Sequence, residues 1–186
     1  LGSRMATAKE RIAQLVEANV DLIHLESGPL GMAPGYNASE EIVRNLEKEF
    51  GVPIFTTGQS HVAALKALGI KKLVAGTYLM SDVTRKCADY IREAGFDVLC
   101  FETIHDRGVE FSDVGGVNPQ YVYSFMKELF LKHKDQGADG IYMLGSAWWP
   151  SLSIIHNLEQ DCHVPVVQAV ACRVWDVQKR LNVCDI

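Results

Sequence analysis

The stretch DGIYMLGSAWW, Asp139 to Trp149, sets the reading of the whole chain. Ile141 to Leu144 is a short apolar run, and it gives way to the small residues Gly145, Ser146 and Ala147 and then to Trp148 and Trp149. Such a run, bounded by turn-forming residues, reads as a buried strand whose C-terminal end opens into a loop. An earlier stretch, DLIHLESG from Asp21 to Gly28, has the same shape. Each is followed by a loop and a helix containing Asn-Leu-Glu (Asn45 to Glu47, Asn157 to Glu159). Val-Pro then leads into a second apolar strand (Val52 and Pro53, Val164 and Pro165). The chain therefore carries an internal repeat of a strand-loop-helix-strand unit. Two such units facing each other place two strand-end loops across one cleft, the usual ligand position in open α/β sheets.

The rest of the chain extends this alternation. Thr7 to Ala18 has a helical apolar stripe, and Gly28 to Gly35 is too rich in glycine and proline to continue a strand or a helix. Asn37, with Glu40 three residues on, reads as the N-cap of a helix stopped by Gly51. Strands are expected at residues 53–57, 73–77, 97–101 and 165–170. Helices are expected at 62–68, from Ser81 or Asp82 to Gly95, from Asn118-Pro119 to about Lys134, at 152–160 and at 174–181. This order predicts an α/β protein with parallel sheets and helices on both faces, in two pseudo-symmetric Rossmann-like lobes. Lobe one comprises residues 1–68 and 167–186, and lobe two residues 69–166. Leu1 to Met5 reads as a vector remnant or the cut edge of a longer chain. A start directly on a helix leaves open a first strand of lobe one missing from the sequence.

The 186 residues suffice for a sizeable core, and 48% hydrophobic with 22% charged residues is an ordinary globular balance. A net charge of −5, with no Lys/Arg run, argues against nucleic acid as a partner. No apolar stretch has the length of a membrane span and no signal-peptide pattern opens the chain, so a cytoplasmic location is expected. Five cysteines without CxxC spacing suggest reduced, mostly buried thiols rather than disulfides or zinc.

The repeat, together with TYLMSDV (Thr77 to Val83), GVNPQYVY (Gly116 to Tyr123) and the Val164 to Asp176 run ending VWD, resembles the aspartate/glutamate racemase superfamily. Within it the maleate isomerase and arylmalonate decarboxylase branch is the nearest. The resemblance implies an active site between two α/β lobes that handles a small carboxylate without metal or organic cofactor. It also implies one cysteine at each repeat strand's end, of which the decarboxylases keep the second. Here those positions fall at Ser27 and at Gly145 or Ser146, so neither has a thiol. A thiol with a pKa of about 8.5 can be tuned to act as base or nucleophile near neutral pH, whereas a serine needs a neighbouring base.

Each candidate residue has a functional and a structural reading. Ser27 and Ser146, with the backbone N–H groups of Gly28, Gly145 and Ala147, form a candidate anion cradle; alternatively, these small residues only let the loops turn. Tyr78 matches the family tyrosine that hydrogen-bonds a substrate carboxylate or oxyanion, or else is a core residue. Glu26 ends an apolar run and is a candidate general base with its pKa raised by burial. Strand alternation turns it away from Ser27, however, which favours structural pairing. His61 is a base near neutral pH or simply exposed at the start of a helix. His24 reads as a core residue, and His105 and Asp106 as part of a surface loop. Trp148 and Trp149 form an apolar wall of the cleft or pack between lobes or subunits; with Trp175, their exposed edges permit a homodimer. The expected reaction is cofactor-free decarboxylation of a malonate-type acid. Racemisation or cis-trans isomerisation, and carboxylate binding without catalysis, are the alternatives.

Overall fold

Strands and helices alternate along the chain. The computed structural model describes residues 2–26 and 31–183, with the backbone alone at 2–4 and 149. The first part runs α1 (Gly2–Glu17), β1 (Ile23–Leu25), α2 (Tyr36–Phe50), β2 (Ile54–Thr56) and α3 (Thr57–Ala67). The middle holds β3 (Lys72–Thr77), α4 (Ser81–Glu93) and β4 (Asp97–Thr103), then 3-10 turns at Ile104–Arg107 and Phe111–Gly116. It closes with α5 (Pro119–His133) and a further 3-10 turn, Lys134–Gln136. The last part is β5 (Gly140–Leu144), a 3-10 stretch Ser146–Ile154, α6 (Ile155–Cys162), β6 (Val166–Gln168) and α7 (Ala169–Leu181).

Every strand pair is parallel, as the alternation predicts. Among the described residues β1 and β2 make a two-stranded sheet, and the larger sheet has the order β4-β3-β5-β6. Val74, Ile141 and Met143 face Phe125, Met126 and Leu129 on one side. Leu73, Ala75, Tyr142 and Leu144 face Leu65, Tyr90 and Ile91 on the other, so helices cover both faces.

The repeat seen in the sequence is repeated bond for bond in the structure. The Glu of each Asn-Leu-Glu accepts the first N–H of the following edge strand, Glu47 from Ile54 at 2.9 Å and Glu159 from Val166 at 3.1 Å. A left-handed residue after each helix, Gly51 or His163, donates its N–H to the carbonyl of the same Glu. The proline carbonyl then accepts from the neighbouring strand, Pro53 from Ile23 at 2.9 Å and Pro165 from Ile141 at 3.0 Å. The leading N–H of an edge strand has no ladder partner, and leaving it unpaired is costly. A glutamate in the last helical turn supplies that partner in both lobes. Asn-Leu-Glu followed by Val-Pro is thus the machinery of this junction.

Element ends differ from the sequence reading in instructive places. Asn37 does not cap α2: Gly35 does, at φ 93° and without a side-chain bond. Ser81 and Asp82 lie inside α4 after an N-cap at Met80. α3 begins at Thr57 instead of Val62, because Thr56 and Gln59 form a reciprocal capping box. β6 pairs with β5 through Gln168 and belongs to the larger sheet. Cys87, Cys162 and Cys172 are buried and Cys100 is half-buried; Cys184 lies outside the described residues. No helix among the described residues is long and apolar enough to cross a membrane.

Candidate active site

Parallel pairing of β3 with β5 sets Thr77 opposite Leu144, so the next residues, Tyr78 and Gly145, leave the two central strands side by side. The fit there is close. A Cβ at residue 145 would stand 2.2 Å from Tyr78 Cε1, and Gly145 has φ 124°, so only glycine serves on both counts. Of the two positions at which the resemblance sets its second cysteine, Gly145 has no room for a side chain, whereas Ser146 is exposed.

The Ala147 N–H donates to Tyr78 Oη at 3.1 Å. The tyrosine oxygen is thereby fixed as an acceptor, and its own proton is left to donate elsewhere. The Tyr78 ring is 8% exposed and contacts Trp148 edge-on at 5.6 Å and Phe111 at 6.0 Å. Trp148 is 2% exposed and packs on Phe125 as well, so it backs Tyr78 from the core and presents no exposed edge for subunit contact. The side chain of Trp149, and Ser27 and Gly28 entirely, lie outside the described residues. Trp175 is half-buried, with Lys179 Nζ 5.0 Å over its ring.

Neighbouring strand-end turns are tied to this pair. Thr77 Oγ1 accepts from the Leu79 N–H at 3.2 Å, and Ser81 Oγ donates to Asp106 at 2.6 Å, linking the turn after β3 to the turn after β4. His105 lies in that second turn, with Nδ1 3.3 Å from the Val109 carbonyl. Phe111 and Met80 are 63% and 56% exposed beside Tyr78. Neither was singled out from the sequence, although Phe111 is an apolar exception in the polar stretch from His105 to Val117.

The other candidates sit elsewhere. Glu26 is ion-paired with Arg173, its carboxylate lies 3.7 Å from His24 Nδ1, and its side chain is 53% exposed. The burial that a general-base reading requires is absent, and pairing is its observed role. Arg173, from the first turns of α7, is the residue that the sequence reading missed at this strand end. His24 stacks on Phe55 at 4.7 Å, with Nε2 3.2 Å from Thr57 Oγ1; burial lowers its pKa.

His61 is fully buried, which overturns the exposed reading. Its Nδ1 lies 2.6 Å from the Tyr142 hydroxyl. Nε2 has no hydrogen-bond partner among the described residues, while the Ala169 backbone favours a proton on the ring. Burial pushes its pKa down to about 3, and the Arg173 charge adds to the effect. At neutral pH this is an uncharged side chain in the contact between α3 and β5. Beside it, Ser60 Oγ donates to the buried Asp176 at 2.8 Å, and Asp176 pairs with Arg180 at 3.1 Å. The structure thus brings together Tyr78, Gly145, Ser146, Ala147 and Trp148, and leaves Glu26 and His61 to structural contacts.

Comparison with known proteins places the fold. The arylmalonate decarboxylase family profile matches residues 5–185. A maleate isomerase from Alcaligenes faecalis is 28% identical over 156 residues, which is 82% of this chain and 59% of that enzyme. The chain therefore spans about three-fifths of that relative's length. A crystal structure of arylmalonate decarboxylase superposes with a TM-score of 0.83 at 17% identity, covering 96% of this chain and 76% of the other. The maleate-bound maleate isomerase Iso(C200A) from Pseudomonas putida S16 gives 0.77 at 24% identity, covering 96% and 72%.

Proposed function

Because the chain belongs to the arylmalonate decarboxylase family, we propose that it is a cofactor-free lyase that decarboxylates a small malonate-type acid. The observation that carries this reading is the Tyr78 hydroxyl, fixed by the Ala147 N–H beside a glycine turn and an exposed Ser146. In the reaction the bond from the α carbon to one carboxylate breaks, its electron pair enters an enediolate, and CO₂ leaves. The Tyr78 and Ser146 hydroxyls donate to the anion, stabilising it where its charge develops. Phe111 and Met80 keep the neighbouring surface apolar, which favours loss of a charged group to neutral CO₂. Glu26 is held by Arg173 and His61 is enclosed against Tyr142, so the proton that completes the α carbon comes from water. Neither Gly145 nor Ser146 supplies sulfur, which separates this route from thiolate chemistry. The reduced, mostly buried thiols fit a cytoplasmic enzyme.

A second reading, cis-trans isomerisation of a maleate-like diacid, is favoured by the 28% identical maleate isomerase. Incubation with a panel of malonates, maleate and amino acids separates the readings. CO₂ release supports the lyase, loss of maleate absorbance supports the isomerase, and a change in optical rotation supports a racemase. Saturable binding with no turnover in any channel would leave a carboxylate-binding protein.

A further inference from the structure

The start of α4 is held from the neighbouring strand end. Its N-cap residue, Met80, makes no side-chain cap bond. α2 starts in the same way and takes a carboxylate from far along the chain: Glu93 accepts from the Tyr36 N–H at 2.7 Å and from the Asn37 N–H at 3.3 Å. At α4 the carboxylate is Asp106, which accepts from Ser81 Oγ at 2.6 Å. Ser81 is the first residue of α4, so a negative charge stands at the end where the helix dipole is positive. Asp106 belongs to the 3-10 turn after β4, and that turn is firmly seated. Thr103 Oγ1 accepts from the His105 N–H at 3.1 Å, and Ile104 is fully buried. The Arg107 guanidinium pairs with Glu128 at 2.8 Å and lies 4.6 Å over the Phe125 ring.

The same stretch meets the candidate site a second time. Phe111, five residues after Asp106, has its ring 6.0 Å from that of Tyr78, and the buried Val114 anchors the turn that carries it. Phe111 is 63% exposed, so this contact removes little apolar area from water, and the hydrogen bond to the carboxylate is the stronger of the two holds. Between the two holds lie Tyr78 to Ser81. Thr77 Oγ1 accepts from the Leu79 N–H, and Thr84 Oγ1 donates to the Leu79 and Met80 carbonyls at 3.2 and 3.0 Å. These local bonds give the turn its shape, whereas Asp106 sets where it stands against the next strand end. We propose that Asp106 is a positioning residue, which through Ser81 sets the Tyr78 hydroxyl beside the Ala147 N–H, for the reaction proposed above, on which this role rests. Without the tie the Tyr78 turn samples more arrangements. Apparent affinity then falls in proportion to the competent fraction, while saturating substrate restores that fraction, so KM rises and kcat holds.

The test uses Asp106→Ala, a change at an exposed residue, in the full chain. Amide exchange at Ala147, which reports the bond to Tyr78 Oη, is expected to rise about 5- to 30-fold, as for loss of one helix cap, with exchange at Ile141 in β5 unchanged. KM for the member of the malonate panel that releases CO₂ should rise by up to the same factor at constant kcat. Asp106→Asn, which keeps an acceptor oxygen for Ser81, should recover part of both, and Ser81→Ala should mimic Asp106→Ala. In a Tyr78→Phe background Asp106→Ala should add no further loss of kcat/KM, because the role runs through the tyrosine. Unchanged exchange at Ala147 overturns the tie. Raised exchange with unaltered KM, or losses that add in the double variant, overturns the positioning role and leaves a plain structural bond. Absence of any turnover by the unmodified chain overturns the reaction and the role in it, while exchange at Ala147 still decides whether Asp106 sets Tyr78.

Discussion

At Tyr78 one oxygen has two capacities: it accepts from the Ala147 N–H, and its own proton is left to donate. Tyr78→Phe removes both. If the hydroxyl binds a carboxylate or enediolate, the variant should lose about 10- to 100-fold in affinity or turnover, the equivalent of one charge-assisted hydrogen bond. The part-buried Ala147 N–H also loses its partner, a stability cost of about 1 kcal/mol. Kinetics on the accepted acid, with a denaturant titration alongside, separates the two effects; unchanged rate and affinity would remove Tyr78 from the site. The sequence brings Tyr78 and the Gly145 turn to light because both end apolar strands, where ligands bind in parallel sheets. It does not show which of Gly145 and Ser146 has room for a side chain. That is decided by a 2.2 Å approach to a ring 67 residues away in the chain.

Elements show the same division between local and distant information. The repeated helix-to-strand junction is legible because its parts, Asn-Leu-Glu and Val-Pro, are close in the chain and identical in both copies. The start of α2 is not, since its carboxylate partner comes from 56 residues downstream, and Asn37 is the better cap on local grounds alone. α3 is the clearest case. Its first turn looks like a solvent-facing helix start, yet α7 and β5 enclose it and leave His61 wholly buried against Tyr142. A pH dependence follows from that burial. The folded pKa of His61, about 3, lies below the 6.5 of an exposed histidine. Between these values the unfolded chain binds a proton that the folded chain refuses. The stability associated with neutral His61 is therefore complete above pH 6.5 and is lost as pH falls towards 3, by at most about 1.4 kcal/mol per pH unit. Denaturant midpoints between pH 7 and 4 should fall more steeply for the native chain than for His61→Gln, and equal slopes would contradict the assignment.

Across the whole molecule, the two lobes share a junction design and differ in how much core stands behind it. The larger sheet has four strands between two buried clusters, one on each face. The smaller has two strands among the described residues, over a cluster of Ile12, Ile23, Val43, Leu46, Val52 and Ile54. Two-stranded sheets are marginal unless another element covers them. Here the cover comes from α1 and α2, with lobe contacts through Glu93 and His61 supplying the rest. Local opening is governed by the buried apolar contacts that must be given up. The β1-β2 amides should therefore exchange through a sub-global opening that leaves β3 and β5 closed, with protection lower by a few kcal/mol. Native-state hydrogen exchange in low denaturant measures this directly. Two isotherms merging only near the global transition is the expected pattern, and one common isotherm for Ile54 and Ile141 would show that the lobes unfold as one unit. A ligand held between the two lobes should suppress this opening by binding the closed state alone. A saturating malonate that leaves β1-β2 exchange unchanged would mean that the ligand touches the larger lobe alone.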